Sequence, residues 1–191
     1  VINALCDLYH PCQALADFVT LTENLTQLGK DDLTQVKLAY VGDGNNVSNS
    51  LMLVAAILGV DFTLISPKGY EAKISMVEKA KALAAKSGAQ LTFTNDIDAI
   101  ALHDVIYTDT WVSMGNEDLT KKKAVLEVFA SYQVNHNLMA KAGAKIVMHC
   151  QPAHLEEEIT TKLFDSKMSV VFQQAENRMW AQNSVLVTLF S

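Results

Sequence analysis

Three short polar segments hold the side chains in this sequence that could carry out chemistry. They are Gly-Asp-Gly-Asn-Asn at 42–46, Asp-Thr-Trp-Val-Ser-Met-Gly at 109–115 and His-Cys-Gln-Pro at 149–152. The carboxylate of Asp109 and the hydroxyl of Ser113, beside Gly115, suit an ammonium group, and the amide of Asn46 can donate to a carboxylate. Taken singly, each also has a structural explanation, with Asn45 as a helix N-cap and Asp109 as the cap of a turn.

Cys150 has three interpretations. It can be a small buried hydrophobe at the end of a strand. It can be a zinc ligand, with partners drawn from Cys6, His10, Cys12, His149 and His154, although no Cys-x-x-Cys pair accompanies it, which disfavours zinc. It can be a nucleophile, but no base and orienting residue stand out beside it. The residues alone leave these interpretations open.

The glycine segment at 42–46 invites comparison with dinucleotide-binding turns. Gly42 and Gly44 fit the first two glycines of that pattern, but Val47 occupies the position of the third. The next apolar run ends in Ser66 and Pro67 rather than in an acid that could bind a ribose. A nicotinamide cofactor is therefore disfavoured.

Short apolar runs alternate with stretches of helical periodicity along the chain. The predicted strands are 38–41, 62–66, 91–94, 105–108, 145–149 and 169–172. Between them, apolar residues recur at helical spacing, as in Val47, Leu51, Val54 and Leu58. Strands that are apolar on both faces and alternate with helices indicate a parallel sheet built from right-handed crossovers. The prediction is an α/β fold, a doubly wound parallel sheet with helices on both faces (Rossmann-like).

This fold predicts where a site would lie. Ligands bind beyond the carboxyl ends of the strands of such a sheet, and all three polar segments follow predicted strands. Leu8, Cys12, Leu15 and Val19 mark a further helix with Pro11 at its start, which would put His10 and Gln13 at a positive helix end. The last helix, predicted from about 175, ends in apolar residues that need a partner surface.

Composition limits the functional classes. The 191 residues are 50% hydrophobic and 19% charged, which argues against a disordered chain. The formal net charge of −6 argues against nonspecific binding of nucleic acid. Apolar runs are far shorter than the roughly 20 residues that a bilayer span needs, so no membrane partner is expected. Three scattered cysteines and no visible signal peptide favour a cytoplasmic protein.

Taken together, the motifs resemble the carboxyl-terminal, ornithine-binding half of ornithine carbamoyltransferases. The resemblance rests on His-Pro-Cys-Gln at 10–13, Gly-Asp-Gly-Asn-Asn at 42–46, Pro-Lys-Gly-Tyr-Glu at 67–71, the 109–115 segment, His-Cys-x-Pro at 149–152 and Ala-Glu-Asn-Arg at 175–178. It spans nearly the whole chain, in order. It implies a single domain over 1–191 and transfer of a carbamoyl group from carbamoyl phosphate to the side-chain amine of ornithine, giving citrulline and phosphate.

The resemblance also implies roles at the carbamoyl end of the site. His10 would hydrogen-bond the carbamoyl carbonyl oxygen, and Arg178 would add positive charge there. Gln13 and the main-chain carbonyl of Gln151 would hold the carbamoyl nitrogen. No metal and no organic cofactor is expected.

At the ornithine end, the resemblance implies that Asn46, Asp109, Ser113 and the backbone of Met114 bind the amino-acid group. Cys150, with Asp109 nearby, would position the attacking amine and favour its neutral form. The physical requirements agree, because an ammonium must lose its proton before it attacks and a dry pocket lowers the pKa of an amine. This chemistry needs no covalent cysteine intermediate.

The sequence departs from the family in two respects. Gln151 stands where the family usually has leucine. The family's phosphate-binding Ser-x-Arg-Thr-Arg motif, which belongs to an amino-terminal domain, does not occur in this chain. We therefore expect the chain alone to be nearly inactive and to need that domain as a partner. The resemblance further implies that the whole protein forms a homotrimer or a multiple of it.

Two alternatives stay open beside this interpretation. One is a transcarbamylase for another amine, such as putrescine, against which Asp109 and the Ser-Met-Gly segment at 113–115 argue. The other is a noncatalytic module that binds an amino acid.

Overall fold

The computed structural model of the chain describes residues 1–112 and 119–191. Five parallel strands form one sheet in the order β3-β2-β1-β4-β5. The strands are β1 (Lys37–Val41), β2 (Asp61–Ile65), β3 (Leu91–Thr94), β4 (Val105–Thr108) and β5 (Ile146–His149). The predicted α/β class is confirmed, and five of the six predicted strands lie within one residue of the observed bounds at each end.

Helices connect and cover these strands in the described residues. They are α1 (Pro11–Glu23), α2 (Leu25–Leu28), α3 (Asn46–Leu58), α4 (Ile74–Ser87), α5 (Leu119–Phe129), α6 (His136–Ala142), α7 (Thr161–Phe164) and α8 (Val171–Phe190). None of the described helices is both long enough and apolar enough to span a bilayer.

Alternate residues of the central strand supply two separate hydrophobic cores. Leu38 and Tyr40 point into the core beneath α1, α3 and α4, whereas Ala39 and Val41 point into the core beneath α5 and α6. All four side chains are fully buried. This two-sided burial explains why the strand reads as an apolar run instead of an alternating one.

The sixth predicted strand, 169–172, is wrong. Ser169 makes only an isolated bridge to Val147, whose carbonyl accepts a hydrogen bond from the Val170 N–H at 3.2 Å. The chain then turns into α8 at Val171, four residues earlier than predicted. The apolar run here reflects burial at the start of a helix, because Val171 is fully buried.

Helix α1 starts at Pro11 as predicted, but it buries a different face. Leu8, Leu15 and Val19 are all more than a third exposed, while Phe18 and Leu21 are buried against the sheet layer. The helix packs between α8 and α3. The other end of α8 leaves several large apolar side chains exposed, and 80% of the surface of Phe190 is accessible to solvent.

The strand order reverses beside the centre of the sheet. Strand β1 is followed by β2 on one side, yet its other neighbour is β4, so the crevice between β1 and β4 is the topological switch point. The segments that begin at Gly42 and Asp109 leave the sheet on the two sides of this crevice. Ligands of doubly wound sheets bind at this place.

Candidate active site

The turn from β1 into α3 is built around two residues with different tasks. The Gly44 N–H donates to the Tyr70 carbonyl at 2.8 Å, and a Cβ on Gly44 would lie 2.3 Å from the backbone nitrogen of Ala72. Asn45 caps α3, as predicted, with its Oδ1 accepting from the N–H groups of Val47 and Ser48 at 3.0 Å. The turn is therefore pressed against the 70–72 backbone and fixed to the helix start.

Asp109 is the meeting point of the switch-point side chains. Its Oδ2 accepts from the amide Nδ2 of Asn45 at 2.8 Å, and its Oδ1 accepts from the backbone N–H of Thr110 at 2.7 Å. The thiol of Cys150 donates to the same Oδ1 over 2.8 Å. The carboxylate of Asp109 thus joins the loops that follow three strands. The side chains of Asn45 and Cys150 reach it from the other two loops.

The surroundings keep Cys150 a neutral thiol. Burial raises the pKa of Cys150 well above its usual value, and the negative charge of Asp109 raises it further. Burial, together with the charge of Asp109, also raises the pKa of Asp43 to about 6. A reactive thiolate needs the opposite setting, a positive charge or helix dipole that lowers its pKa.

His149 fixes the backbone on either side of Cys150. Its Nδ1 accepts from the Gln151 N–H at 2.9 Å, so its proton belongs to Nε2, which donates to Glu158 at 3.0 Å. His149 and Glu158 are both fully buried. Gln151 itself has a φ of +55°, which a residue with a side chain adopts only when its surroundings hold it there. The carbonyl that the sequence predicted as a ligand thus comes from a constrained residue.

The start of α1 brings the other predicted residues together. The side-chain oxygen of Gln13 accepts a hydrogen bond from the guanidinium of Arg178 in α8. The Nδ1 of His10 lies 3.0 Å from the Ala4 carbonyl and therefore carries the proton. Burial lowers the pKa of His10, the positive charge of Arg178 lowers it further, and Asp109 opposes that effect. His10 is consequently neutral near pH 7 and lies close to both groups.

A buried network under this end of the site was missed by the sequence analysis. Asp17 accepts from Gln13 Nε2 at 2.8 Å, from Gln174 Nε2 at 2.7 Å and from the Tyr107 hydroxyl at 3.0 Å. Burial raises the pKa of Asp17 to about 7 despite these bonds. The spacing carried a signal, because Asp17 follows Gln13 by four residues and Gln174 precedes Arg178 by four, one helical turn in each case.

Not every predicted residue joins these contacts. The Asn46 amide donates to the Cys6 carbonyl at 2.9 Å, so it is occupied by the segment before α1. Ser113 and Met114 lie outside the described residues. Among the residues described, the structure brings together Asp109, Cys150 and Asn45 on one side, and His10, Gln13 and Arg178 on the other.

Two groups in the described ranges have possible metal-ligand atoms that lie within 4.8 Å of one another. One is Asp109, His149 and Cys150, and the other is His154, Glu157 and Glu158. In the first group, both ring nitrogens of His149 are already hydrogen bonded. That group therefore has no free imidazole lone pair for a metal.

Comparisons with known proteins point in one direction. A family model described as "Aspartate/ornithine carbamoyltransferase, Asp/Orn binding domain" matches residues 34–189. The ornithine carbamoyltransferase of Shewanella oneidensis is 56% identical over 191 residues, and that of Methanococcus maripaludis is 49% identical over 193. Both alignments cover all of this chain. The structure of the Pyrococcus furiosus ornithine carbamoyltransferase superimposes with a TM-score of 0.87 at 44% identity, over 97% of this chain.

The shared region is only part of each relative. It accounts for 61% of the Shewanella protein, 62% of the Methanococcus protein and 58% of the Pyrococcus chain. The matching family model names a binding domain and extends over the sheet and over Asn45, Asp109, Cys150 and Arg178, whereas His10 and Gln13 lie before the matched region. The chain belongs to the aspartate/ornithine carbamoyltransferase family, in which it matches the Asp/Orn binding domain.

Proposed function

We propose that the protein containing this chain transfers the carbamoyl group of carbamoyl phosphate to the side-chain amine of ornithine, giving citrulline and phosphate. The names of the relatives support the reaction, since proteins up to 56% identical to this chain are called ornithine carbamoyltransferases. The observation that carries the proposal is the convergence of Cys150 and Asn45 on Asp109 at the switch point. This chain supplies the ornithine-binding domain, over residues 1–191.

At the carbamoyl end, the proposed binding residues are His10, Gln13, Arg178 and the main-chain carbonyl of Gln151. Attack on the carbamoyl carbon builds negative charge on its oxygen, and donors directed at that oxygen stabilise the transition state. The Arg178 guanidinium supplies charge, and the single N–H of neutral His10 supplies a hydrogen bond. That N–H faces the Ala4 carbonyl in this structure, so the substrate oxygen must take the place of that carbonyl.

Gln13 is oriented for its role by the network beneath it. Because Asp17 accepts from the Nε2 of Gln13, the amide oxygen of Gln13 must point the other way, towards Arg178. An oxygen in that position can accept from the carbamoyl nitrogen. The Gln151 carbonyl would be a second acceptor for the same NH2 group.

At the ornithine end, Asn46, Asp109, Ser113 and the backbone of Met114 are proposed to bind the amino-acid group. Asp109 offers charge to the α-ammonium, and the Asn46 amide offers a donor to the carboxylate once it releases the Cys6 carbonyl. A diamine such as putrescine keeps a second ammonium for Asp109 but lacks the carboxylate, so it gains nothing from the Asn46 amide. This favours ornithine as the acceptor.

Cys150 is proposed to position the attacking amine and to act without a covalent intermediate. Its pKa is raised, so the sulfur is a thiol at neutral pH, and its proton is directed at Asp109. The sulfur lone pairs are then available to an N–H of the amine. Alignment of the two substrates lowers the barrier without nucleophilic chemistry from the protein.

The remaining parts of the proposal concern the whole protein. An amino-terminal domain would supply the arginines that bind phosphate, since Arg–phosphate pairs are among the strongest charge-assisted contacts. The exposed apolar end of α8, with Leu189 and Phe190, would pack against that domain. We further propose a homotrimeric, cytoplasmic enzyme of arginine metabolism that needs no metal or organic cofactor for this reaction.

The test measures citrulline with two forms of the protein, at saturating carbamoyl phosphate and with putrescine as a parallel acceptor. The 191-residue chain alone should form little or no product. The same chain, fused to the amino-terminal part of the Shewanella relative, should form citrulline from ornithine and almost nothing from putrescine. In the fusion, Arg178→Gln should lower kcat at least 100-fold, while Lys81→Gln, a matched loss of charge on α4, should not.

Three results would contradict the proposal. An enzyme-like rate from the chain alone would show that no second domain is needed. Equal turnover of putrescine would remove the role of Asp109 and its neighbours as the specificity site. A folded fusion that binds ornithine but forms no product would support the noncatalytic amino-acid-binding module instead.

A further inference from the structure

A short turn behind the Cys150 loop contains buried polar atoms without partners. It covers residues 154–158 and is closed by the Glu157 N–H, which donates to the His154 carbonyl at 3.0 Å. Of the six buried side-chain nitrogen and oxygen atoms that lack a hydrogen-bond partner in the described ranges, three lie here: His154 Nδ1, Glu157 Oε2 and Glu158 Oε2. Buried polar atoms are nearly always paired, so three in one turn require an explanation.

Glu158 is the strongest of the three observations. Its side chain is completely buried, and its Oε1 accepts from the His149 Nε2–H at 3.0 Å and from the His154 N–H at 2.6 Å. Both donors are neutral, because the other ring nitrogen of His149 accepts a hydrogen bond and so carries no proton. The second oxygen of Glu158 has no hydrogen-bond partner among the described residues. A buried polar atom without a partner is costly, and a bound cation would satisfy this one.

The other two atoms complete a ligand set around that oxygen. His154 Nδ1 lies 3.5 Å from Glu157 Oε2, and all three atoms lie within 4.8 Å of one another. Ligand atoms about 2.0–2.1 Å from a tetrahedral ion are roughly 3.3 Å apart, so small side-chain movements suffice. Glu157 keeps its other oxygen on Lys122 at 2.7 Å and can coordinate through Oε2 without losing that pair.

The comparison with the Asp109, His149 and Cys150 group shows why this cluster is different. There, the possible ligand atoms are already used in hydrogen bonds to one another, to the Glu158 side chain or to the backbone. In the 154–158 turn, none of the three possible ligand atoms makes a hydrogen bond within the described residues.

We propose that His154 Nδ1, Glu157 Oε2 and Glu158 Oε2 bind a divalent transition-metal ion, with water at the fourth position. One imidazole and two carboxylates form a nitrogen and oxygen ligand set that zinc and its first-row neighbours accept. The ion would balance the Glu158 charge. Because Glu158 also holds His149, which in turn holds the Gln151 N–H, the ion would stabilise the loop that carries Cys150. The site has no part in the proposed carbamoyl transfer.

The test uses the purified 191-residue chain after removal of metals with a chelator. Titration with Zn²⁺ in a calorimeter should give one site per chain with a micromolar or lower Kd, and Zn²⁺ should raise the Tm. Co²⁺ at the same site should give visible absorption without the charge-transfer band of a thiolate ligand. His154→Asn and Glu157→Gln, which leave the Glu158–His149 bond in place, should each weaken binding at least tenfold.

Matched controls separate this site from adventitious binding. His136→Asn and Glu127→Gln remove one imidazole and one carboxylate elsewhere and should leave the Kd unchanged. Glu158→Gln should abolish binding, and circular dichroism shows whether that variant is folded. The proposal is overturned if no saturable site exists, if His154→Asn and Glu157→Gln bind as tightly as the parent chain, or if the Co²⁺ spectrum shows thiolate ligation. None of these results depends on catalytic activity.

Discussion

Asp109 determines the chemical state of the residue beside it. It accepts from the Cys150 thiol, the Asn45 amide and the Thr110 backbone, so most of its lone pairs are committed to fixed donors. Such a carboxylate is held rigidly, and its charge raises the pKa of the thiol that it holds. The same contact therefore positions the sulfur and prevents it from becoming a nucleophile.

This arrangement predicts how fast the thiols are alkylated. Cys6 is exposed, and hydrogen bonds from Asn3 and the backbone lower its pKa, whereas burial and Asp109 raise the pKa of Cys150. Since the thiolate is the reacting form, iodoacetamide at pH 8 should modify Cys6 at least tenfold faster than Cys150. Mass spectrometry of digested samples taken over time measures both rates.

A charge-removing variant tests the cause. Asp109→Asn should raise the alkylation rate of Cys150 several-fold at pH 8, because loss of the carboxylate charge lowers the thiol pKa. Asp96→Asn, on a distant turn, should leave the rate unchanged. If the parent chain alkylated at both positions equally fast, Cys150 would not be the neutral thiol described above.

At the scale of elements, the turn between β1 and α3 has two tasks. It packs closely against the backbone of residues 70–72, and it holds the start of α3 in place by hydrogen bonds. Gly44 allows the backbone of residues 70–72 to approach, and Asn45 joins the start of α3 to Asp109. Neither task involves a ligand. Both determine whether the two sides of the crevice keep their spacing.

Gly44→Ala should be strongly destabilising for steric reasons alone. Its Cβ would lie 2.3–2.6 Å from the backbone of Glu71 and Ala72, which cannot rotate away as a side chain can. Overpacking of this kind costs about 3 kcal/mol. Gly88→Ala is the matched control, since Gly88 has a φ of +88° but open space around it, and strain there costs about 1 kcal/mol. Urea denaturation measures the free energy of unfolding of both variants, and equal losses of stability would contradict the packing argument.

Asn45 can be tested by separating its two functions. Asn45→Ala removes both the cap and the anchor, and should cost about 2 kcal/mol. Asn135→Ala, which removes only the cap of α6, should cost about 1 kcal/mol. Asn45→Asp keeps an acceptor for the cap but places a second carboxylate against Asp109. It should preserve the helix content seen by circular dichroism and still lower the urea midpoint.

At the scale of the molecule, the sequence predicted the sheet much better than the contacts of the site. Five strands were predictable because burial on both faces leaves uninterrupted apolar runs. Residues 169–172 gave the same pattern from burial at a helix start, since periodicity cannot separate these two cases over four residues. The exposed face of α1 was misjudged because the side of α1 that contacts α8 is polar, with Gln13, Asp17 and Thr20 bonded to α8, and carries no hydrophobic signal.

The predicted site residues followed from motifs, but their supporting residues did not. Asp17 and Gln174 are buried polar groups that bond to each other across a separation of 157 residues, and Asp17 also accepts from Tyr107, 90 residues away. No local pattern encodes a hydrogen bond between two elements that only the fold brings together. The only local clues were the i,i+4 spacings of Gln13 with Asp17 and of Gln174 with Arg178.

Buried Asp17 predicts an unusual dependence of stability on pH. Its pKa is about 7 in the folded chain and about 3.9 when unfolded, so between these values the folded state binds one more proton. Stability therefore falls as pH rises through this window, by about 1.4 kcal/mol per pH unit from this group. Asp43, with a pKa of about 6, adds a further decrease in stability as pH rises, and this decrease ends near pH 6. Urea denaturation from pH 5.5 to 7.5 should show the net decrease.

Asp17→Asn isolates the contribution of the buried carboxyl. Between pH 5.5 and 7, the free energy of unfolding of the variant should fall by about 2 kcal/mol less than that of the parent chain. His10 acts in the opposite direction, because its lowered pKa adds stability as pH rises towards 6.5, and it does so equally in both proteins. Parallel pH profiles for the two would mean that Asp17 does not titrate in this range.

The packing of α1 against α8 has a consequence for synthesis on the ribosome. Gln13 and Arg178 are hydrogen-bonded partners separated by 165 residues, and Asn177 and Thr20 by 157. At translation rates of about 5–20 residues per second, α1 waits on the order of ten seconds for α8 to be made. The sheet can form during this interval, but Gln13 has no Arg178 until α8 leaves the exit tunnel. The carbamoyl end of the site is thus the last part of this chain to assemble, and until then Gln13, Asp17 and Thr20 lack the partners that α8 gives them in the folded chain.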